Sequence, residues 1–360
     1  MSVHVKKIVY RPPFRHNKNP KHPLSTKFFK ALNRTRNFRL TKQLVDENMA
    51  TCTLCKKRDA IFGRSYSGEN LCRRCFCKTI EDKVRRTVSK YEMLDPRDRI
   101  MVGVSGGKDS VSLLHILTKI EKVFPDVVIC AGTVDEGIRH YRDEALKIAS
   151  RNCQKLGVDH VVVSFKEMFG YELDEIVKLI RRKSGNGLTP CSYCGVLRRK
   201  ALNTLAREAG TDKLVIAHSL DDETQTMLLN IIHGDPMRIA RSKPVTNVVH
   251  PQLVQRVKPF CLIPEKEIVF YAYLKGIEFQ CIDCPYAQTA LRNDIRTMLN
   301  SIEHKHAGTL YTIFNSVEKI RPALEAVAKE VKIHACKQCG EPTVGDICRP
   351  CEMLQELRLL

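Results

Sequence analysis

The chain has 360 residues, 43% of them hydrophobic and 28% charged, with sixteen cysteines and a formal net charge of +20. No apolar run approaches the roughly 20 residues that span a bilayer, and no apolar h-region begins the chain, so a membrane protein and a secreted disulfide scaffold are excluded as expectations. The length calls for one sizeable core plus accessory units, and the strong basic balance calls for a polyanionic partner, nucleic acid first.

Residues 1–48 carry twelve Lys and Arg against Asp46 and Glu47 alone, a net of +10. With little periodicity, they read as a disordered basic arm. Next comes Cys52-x-x-Cys55, then Cys72-x-x-Cys75, the two-knuckle spacing of a zinc ribbon, in which each tight turn presents two thiolates to one tetrahedral ion. Gly63 and Gly68 suit the intervening hairpin, and Cys77 reads as a bystander. The ribbon is expected over 49–78, and a linker helix over 79–98 with Ile80, Val84, Val88 and Tyr91 as its apolar face.

The apolar run Ile100–Val104 reads as a buried strand, followed by Ser105, Gly106, Gly107, Lys108, Asp109, Ser110 and a helix-periodic run. Strand, glycine loop and helix make a phosphate cradle: glycines let backbone N–H groups approach an anion, and the helix terminus adds partial positive charge. The spacing is not that of a Walker A loop. Further strands are expected at 127–134, 159–165 and 213–219, alternating with helices at 139–156, 171–183 and after Asp221-Asp222. Continuous apolar strands between amphipathic helices imply an α/β, doubly wound parallel sheet over 99–280, with ligands at the carboxyl ends of its strands. Three segments sit at such ends: SGGKDS, Asp135-Glu136-Gly137, and His218 to Asp222. Residues 281–332 read as largely helical, with Arg292 and Arg296 on one face. A second ribbon closes the chain over 333–360 as Cys336-x-x-Cys339 and Cys348-x-x-Cys351, with Gly340 and Gly345 at turns.

Cys191-x-x-Cys194 opens a helix inside the α/β core, and Cys281 and Cys284 follow downstream. The helix terminus is expected to lower the thiol pKa there. Two chemistries fit, redox cysteines carrying a persulfide, or an iron–sulfur cluster held by Cys191, Cys194 and one further cysteine. Cys130, Cys153 and Cys261 read as core residues.

The ordered set SGGKDS, DEGIRHYRDEA, CSYCGVLRRKAL, AHSLDDETQTMLLNIIHGD, RVKPF and CPYA, with a ribbon at each end, resembles the tRNA 2-thiouridine synthetases. These are the TtuA-like and cytoplasmic tRNA 2-thiolation proteins of the PP-loop ATP pyrophosphatase superfamily, and the resemblance spans about residues 49–360. It implies an adenine nucleotide alpha hydrolase-like fold flanked by zinc ribbons and a cytoplasmic transferase that consumes ATP to AMP and diphosphate. The C2 oxygen of a tRNA uridine, at the wobble or T-loop position, is adenylated and then replaced by sulfur. The resemblance further implies Mg2+, a [4Fe-4S] cluster, two Zn2+, and a ubiquitin-like sulfur carrier with a C-terminal thiocarboxylate. Homodimers, or heteromers with a related thiolation subunit, are common in the group.

Mapped by that resemblance, ATP contacts fall on Gly103, Val104, Ser105, Gly106, Gly107, Lys108, Asp109 and Ser110, with Thr133, Asp135, Ala217, His218 and Asp222 beside the nucleotide. Asp109, Arg198 and Asp222 take catalytic roles, and Cys191, Cys194 and Cys284 take the cluster, with Cys281 the competing third ligand. Zinc falls on Cys52, Cys55, Cys72 and Cys75, and on Cys336, Cys339, Cys348 and Cys351. Ala217-His218-Ser219 departs from the group's usual Gly-His-Asn. Asp135, Asp221 and Asp222 also suit helix capping, and His218 a buried structural histidine. Two other readings compete. A PP-loop amidotransferase or lysidine-type synthetase needs no thiolates, and a non-catalytic zinc-ribbon RNA-binding protein needs no intact SGGKDS.

Overall fold

The computed structural model describes residues 50–121, 126–182, 188–286, 291–327 and 332–359. The basic arm expected at 1–48, and part of the loop before Cys191, lie outside the described residues.

The N-terminal unit is a hairpin of β1 (Phe62–Arg64) and β2 (Glu69–Leu71) that runs directly into α1 (Arg73–Lys90). Cys72 is itself the N-cap of α1, so the helix starts six residues before the expected residue 79 and carries Cys75 in its first turn. The central domain follows as β3 (Arg99–Gly103), α2 (Lys108–Glu121), β4 (Val128–Asp135), α3 (Arg142–Leu156), β5 (Asp159–Ser164), α4 (Phe165–Phe169), α5 (Leu173–Arg182) and α6 (Pro190–Glu208). It continues through β6 (Lys213–Val215), α7 (Leu220–Ile232), α8 (Pro236–Arg241), β7 (Gln255–Val257) and α9 (Glu265–Lys275). Two helices, α10 (Leu291–Lys305) and α11 (Thr309–Ala326), precede a second small unit of β8 (His334–Ala335), β9 (Pro342–Thr343) and α12 (Arg349–Glu356).

The main sheet has five parallel strands in the order β5-β4-β3-β6-β7. Both faces are covered, as side chains of β3 show. Ile100 and Val102 enter one apolar cluster with α1, α2, α9 and α11, while Met101 enters the other with α5, α6 and α12. The chain moves outward from β3 through β4 to β5, then crosses back to place β6 on the other side of β3. That reversal leaves a crevice at the carboxyl ends of β3 and β6, where SGGKDS and the Ser219–Asp222 turn stand. The edge strand β7 is three residues long, too short for periodicity to announce it. Residues 281–286 are irregular rather than helical, and the helix expected across 281–300 starts at Leu291.

Local signals account for the helix starts that matter. Thr189 accepts from the Ser192 N–H with Pro190 in the first turn of α6. Ser219 and Asp222 form a reciprocal capping box at the start of α7. The N-terminal unit is fastened to α9 by aromatic packing of Phe62 against Phe270 at 5.1 Å and by a buried ionic knot. Glu267 is fully buried and receives the Arg64 guanidinium at 2.9 Å, the Tyr66 hydroxyl, and the Lys83 ammonium at 3.6 Å. Removing one partner of such a set strands a buried charge. Glu267→Ala is therefore expected to destabilise the protein by about 3 kcal/mol or more in denaturant titration, with Glu267→Gln retaining part of the loss.

Candidate active site

The phosphate loop is wound tightly on itself. Ser110 Oγ accepts from the Ser105 N–H at 3.0 Å and donates to the Gly107 carbonyl at 3.0 Å, and the two serine hydroxyls lie 3.1 Å apart. Ser105 Oγ also accepts from the Gly107 N–H at 3.3 Å. The hydroxyls expected on phosphate thus shape the loop in this state. Gly106 has φ of +84°, and a Cβ there would collide with the Ala145 carbonyl of α3, so only glycine serves. Gly103, by contrast, has room for a methyl group. The Val104 N–H is spent on the Gly132 carbonyl at 2.8 Å. The free donors of this loop are those of the α2 N-terminus.

A guanidinium holds the loop from below. Arg142, buried, donates to the Ser105 carbonyl at 3.0 Å and to the Val134 carbonyl at 2.5 Å, and pairs with buried Glu136 at 2.7 Å. Glu136 in turn faces Arg198 at 3.5 Å. Asp135 accepts from the Gly137 N–H at 2.9 Å and shapes the turn after β4. Thr133 is buried, with its hydroxyl on the Val104 carbonyl at 2.6 Å and His160 at 2.7 Å, so it joins β4 to the loop rather than offering its side chain to a ligand.

Four carboxylates converge above the crevice. Asp109 and Asp222 were legible in the sequence as site residues; Glu265 was not, because α9 reaches the site only through tertiary packing. Lys108 bridges Asp109 at 2.9 Å and Glu265 at 2.6 Å. Asp221 accepts from the Glu265 N–H at 2.7 Å and so caps α9. Asp222 accepts from Ser219 N and Oγ at 3.0 and 2.9 Å, as the third helical residue of the capping box whose N-cap is Ser219. Arg292 and Arg296 of α10 turn into this cluster. Arg292 donates to the Asp222 carbonyl at 3.0 Å, and Arg296 stands 3.6 Å from Glu265. Crowding and burial show in the protonation. Burial, with Glu265 and Asp222 close by, pushes Asp109 up to about 6 against the pull of Lys108. Burial and the Glu265 charge push Asp221 up to about 7. Asp222 stays low, because His218, Arg292 and the Ser219 N–H outweigh its burial. His218 is half exposed and faces Glu223 at 3.4 Å; Glu223 is buried and also held by Lys258 of the RVKPF segment at 2.8 Å.

The cysteines lie on the other flank of Arg142. The Gln280 N–H bonds to the Gly106 carbonyl at 2.9 Å, and the chain then runs through Cys281 to Cys284 toward α6. Cys191 Sγ lies 3.3 Å from the Tyr286 carbonyl, and the Tyr286 hydroxyl anchors this segment by donating to Asp174 at 2.7 Å. Cys191 and Cys284 lie close enough to raise the pKa of Cys194, and Cys191 that of Cys284, with Arg198 as the common counter-charge of all three. The expected depression of these thiols does not occur. Burial drives all three up, Cys194 to about 12, and outweighs the pull of Arg198. Among the described residues, only the two ribbon sets bring three or more metal-ligating atoms within 4.8 Å of one another. A single tetrahedral ion needs sulfurs about 3.8 Å apart, given metal–sulfur bonds of about 2.3 Å. The core trio is thus spread too widely for one ion, and a wider, multi-iron group suits it better.

Both ribbon sets are compact. Cys52, Cys55, Cys72 and Cys75 gather at one end, with 3.9 Å between Cys55 and Cys72 Sγ; Cys336, Cys339, Cys348 and Cys351 gather at the other, with 3.5 Å between Cys339 and Cys348 Sγ. Burial opposes ionisation, but backbone N–H donors from each knuckle outweigh it and bring Cys52 and Cys336 down to about 6. Such thiols are ready to deprotonate onto a metal. Cys77, Cys153 and Cys261 are buried core residues, and Cys130 is partly buried.

With this geometry in view, comparison with known proteins is informative. Residues 77–303 match the family model described as a PP-loop domain. The tRNA 2-thiolation protein NcsA of Haloferax volcanii is 34% identical over 85% of this chain and 98% of its own length. The cytoplasmic tRNA 2-thiolation protein 1 of Oryza sativa subsp. japonica is 34% identical over 85% of this chain and 82% of its own. The solved structure of the U34-tRNA thiolase NcsA from Methanococcus maripaludis, with its [4Fe-4S] cluster, aligns with a TM-score of 0.73 and 33% identity, covering 85% of this chain and 96% of that one.

The carboxylate cluster makes a pH-dependent prediction. Asp221 has a folded pKa raised to about 7, above its unfolded value of about 3.9, so its contribution to stability is present at low pH and lost as pH rises through 7. Asp221→Asn mimics the neutral acid. Melting temperatures in magnesium-free buffer should match wild type at pH 4 and exceed it at pH 8.

Proposed function

As this chain belongs to the PP-loop family of tRNA 2-thiolation proteins, we propose that it is an ATP-dependent tRNA uridine 2-sulfurtransferase acting at uridine 34. The observation that carries the reading is the linkage of two half-sites by one buried guanidinium. Arg142 holds the phosphate loop through the Ser105 carbonyl, and through Glu136 it faces the Arg198 that serves the three cysteines. ATP activation and sulfur delivery thereby meet at one sheet edge.

The chemistry follows from what each group can do. The uridine C2 oxygen attacks the α-phosphorus of ATP, and diphosphate leaves. Lys108 and the α2 N-terminus stabilise negative charge that builds on the phosphoryl oxygens. Lys108 remains charged because Asp109 and Glu265 outweigh its burial. Asp109, Asp221, Asp222 and Glu265 are the hard oxygen donors that Mg2+ prefers, and the ion would neutralise the departing diphosphate. The adenylated oxygen is then a good leaving group. Sulfide attacks C2, and AMP departs with that oxygen, giving 2-thiouridine. Cys191, Cys194 and Cys284 suit a [4Fe-4S] cluster, which with three protein ligands leaves one iron for the incoming sulfur. Arg198 orients and neutralises this flank. A persulfide route is less well supported, since it needs a low thiol pKa and all three thiols are raised.

Cys284 suits the third position, because it shares electrostatic coupling with Cys191 and Cys194. We further assign one zinc ion to each ribbon, a ubiquitin-like thiocarboxylate carrier as sulfur source, assembly as a homodimer or with a related subunit, and a cytoplasmic location. Among the described residues, no helix is long and apolar enough to cross a membrane.

Anaerobically purified protein should release AMP and diphosphate in a tRNA-dependent manner, and nucleoside mass spectrometry should find 2-thiouridine at position 34. Lys108→Ala is expected to lower the rate about 100-fold or more. AMP release with no requirement for tRNA would remove the assignment. For the cysteines, Cys284→Ser should abolish bound iron and the visible absorbance of a cluster, while Cys281→Ser should retain both. The reverse pattern would exchange the two residues.

A further inference from the structure

A cavity of about 690 Å³ opens between α6, the segment before β7 and the C-terminal ribbon, with Cys191 in its wall. It is separate from the carboxylate crevice and strongly cationic, being lined by Arg199, Lys200, Arg238, Arg256 and Arg349. Two of these cations are partly compensated. Arg238 pairs with Asp235 at 3.0 Å, and Arg349 with Glu352 at 3.1 Å. The one carboxylate in the wall, Glu341, is taken by Arg207 at 2.7 Å. Lys200 Nζ lies 3.1 Å from the Cys339 sulfur of the ribbon.

Arg199 and Arg256 are different. Neither has a carboxylate partner among the described residues. Arg199 Nε donates to the Gly195 carbonyl at 3.0 Å, and Arg256 donates to the Arg199 carbonyl at 3.1 Å, so backbone oxygens hold both in place. Burial, then the neighbouring Arg199, brings Arg256 down to about 10; burial, with Arg198 and Arg238 near, lowers Arg199 too. The fold therefore maintains two positioned guanidiniums in mutual repulsion with no internal anion, an arrangement that an incoming anion would relieve.

We propose that this cavity seats a backbone phosphate of the tRNA beside the target uridine, a step that rests on the function proposed above. Guanidinium forks match phosphate geometry in a bidentate manner. Five cations spread over four elements exceed what a single terminal carboxylate of a protein tail would engage, and they suit a run of phosphodiesters. Because Cys191 forms part of the wall, a phosphate held here brings the neighbouring nucleotide to the sulfur-handling flank. The C-terminal ribbon supplies Arg349 and closes one side of the cavity, which gives that small unit a role in the reaction beyond folding.

The test uses the full, metal-replete chain and an unmodified tRNA transcript, with affinity measured across a salt series. Arg199→Ala/Arg256→Ala should weaken tRNA binding about tenfold or more and reduce the log–log salt slope by about 1 to 2, leaving ATP affinity within twofold. Arg199→Glu, a single substitution, should act in the same direction and decides the matter if the double variant melts early. Unchanged tRNA affinity and slope in Arg199→Glu would overturn the proposal. So would unchanged tRNA binding coupled to lost affinity for a carrier with a C-terminal carboxylate tail, which would assign the cavity to a protein. Wild-type protein that binds no tRNA would overturn both this proposal and the function it rests on, whereas failure of the variants alone leaves that function standing.

Discussion

The buried pair of Arg142 and Glu136 is the constraint on which the site depends. Arg142 reaches the phosphate loop, the end of β4 and the Glu136 carboxylate at once, and Glu136 passes the interaction on to Arg198 beside the cysteines. Such a pair adds little net stability, since desolvation offsets much of its attraction, but breaking it strands a charge at a cost of about 3–5 kcal/mol. Its value is geometric. It keeps the phosphate loop in register with the flank that carries Cys191, Cys194 and Cys284, and it brings together segments far apart in the chain.

The carboxylate crevice follows a second logic. Asp109, Asp221, Asp222 and Glu265 are held by helix caps and by Lys108, and two of them rise toward neutral pH through burial and mutual repulsion. A cluster of this kind costs stability, because burial and like charge oppose ionisation of its members. Arg292 and Arg296 belong to the same balance. Expected on one face of a helix, they turn to Asp222 and Glu265 because α10 packs across α7.

The terminal ribbons bracket this machinery in different ways. The first is bound to α9 by aromatic stacking and by the knot around Glu267, and α9 also carries Glu265 into the crevice. The second rests on α6, the helix that begins with Cys191 and Cys194. There Met353 and Leu354 enter the apolar core, and Glu341 meets Arg207. Each small unit thus supports a helix that lines the candidate site, α9 with Glu265 in the carboxylate crevice and α6 with Cys191 and Cys194.

Much of this was legible in the residue order. Continuous apolar strands and glycine-bounded helices specify a parallel sheet, because local hydrogen bonding and burial on both faces leave few alternatives. SGGKDS and the paired cysteines carry their chemistry in their spacing, since a tight turn or a metal knuckle is a local object. What only the tertiary structure decided was the company each group keeps. Glu265, Glu136 and Arg142 join the site through packing between elements distant in sequence, which periodicity does not record. The same holds for the thiols of Cys191 and Cys194. The helix terminus, visible in sequence, predicts a lowered pKa, but burial pushes it up against the pull of Arg198, and in a low-dielectric interior desolvation is the larger effect.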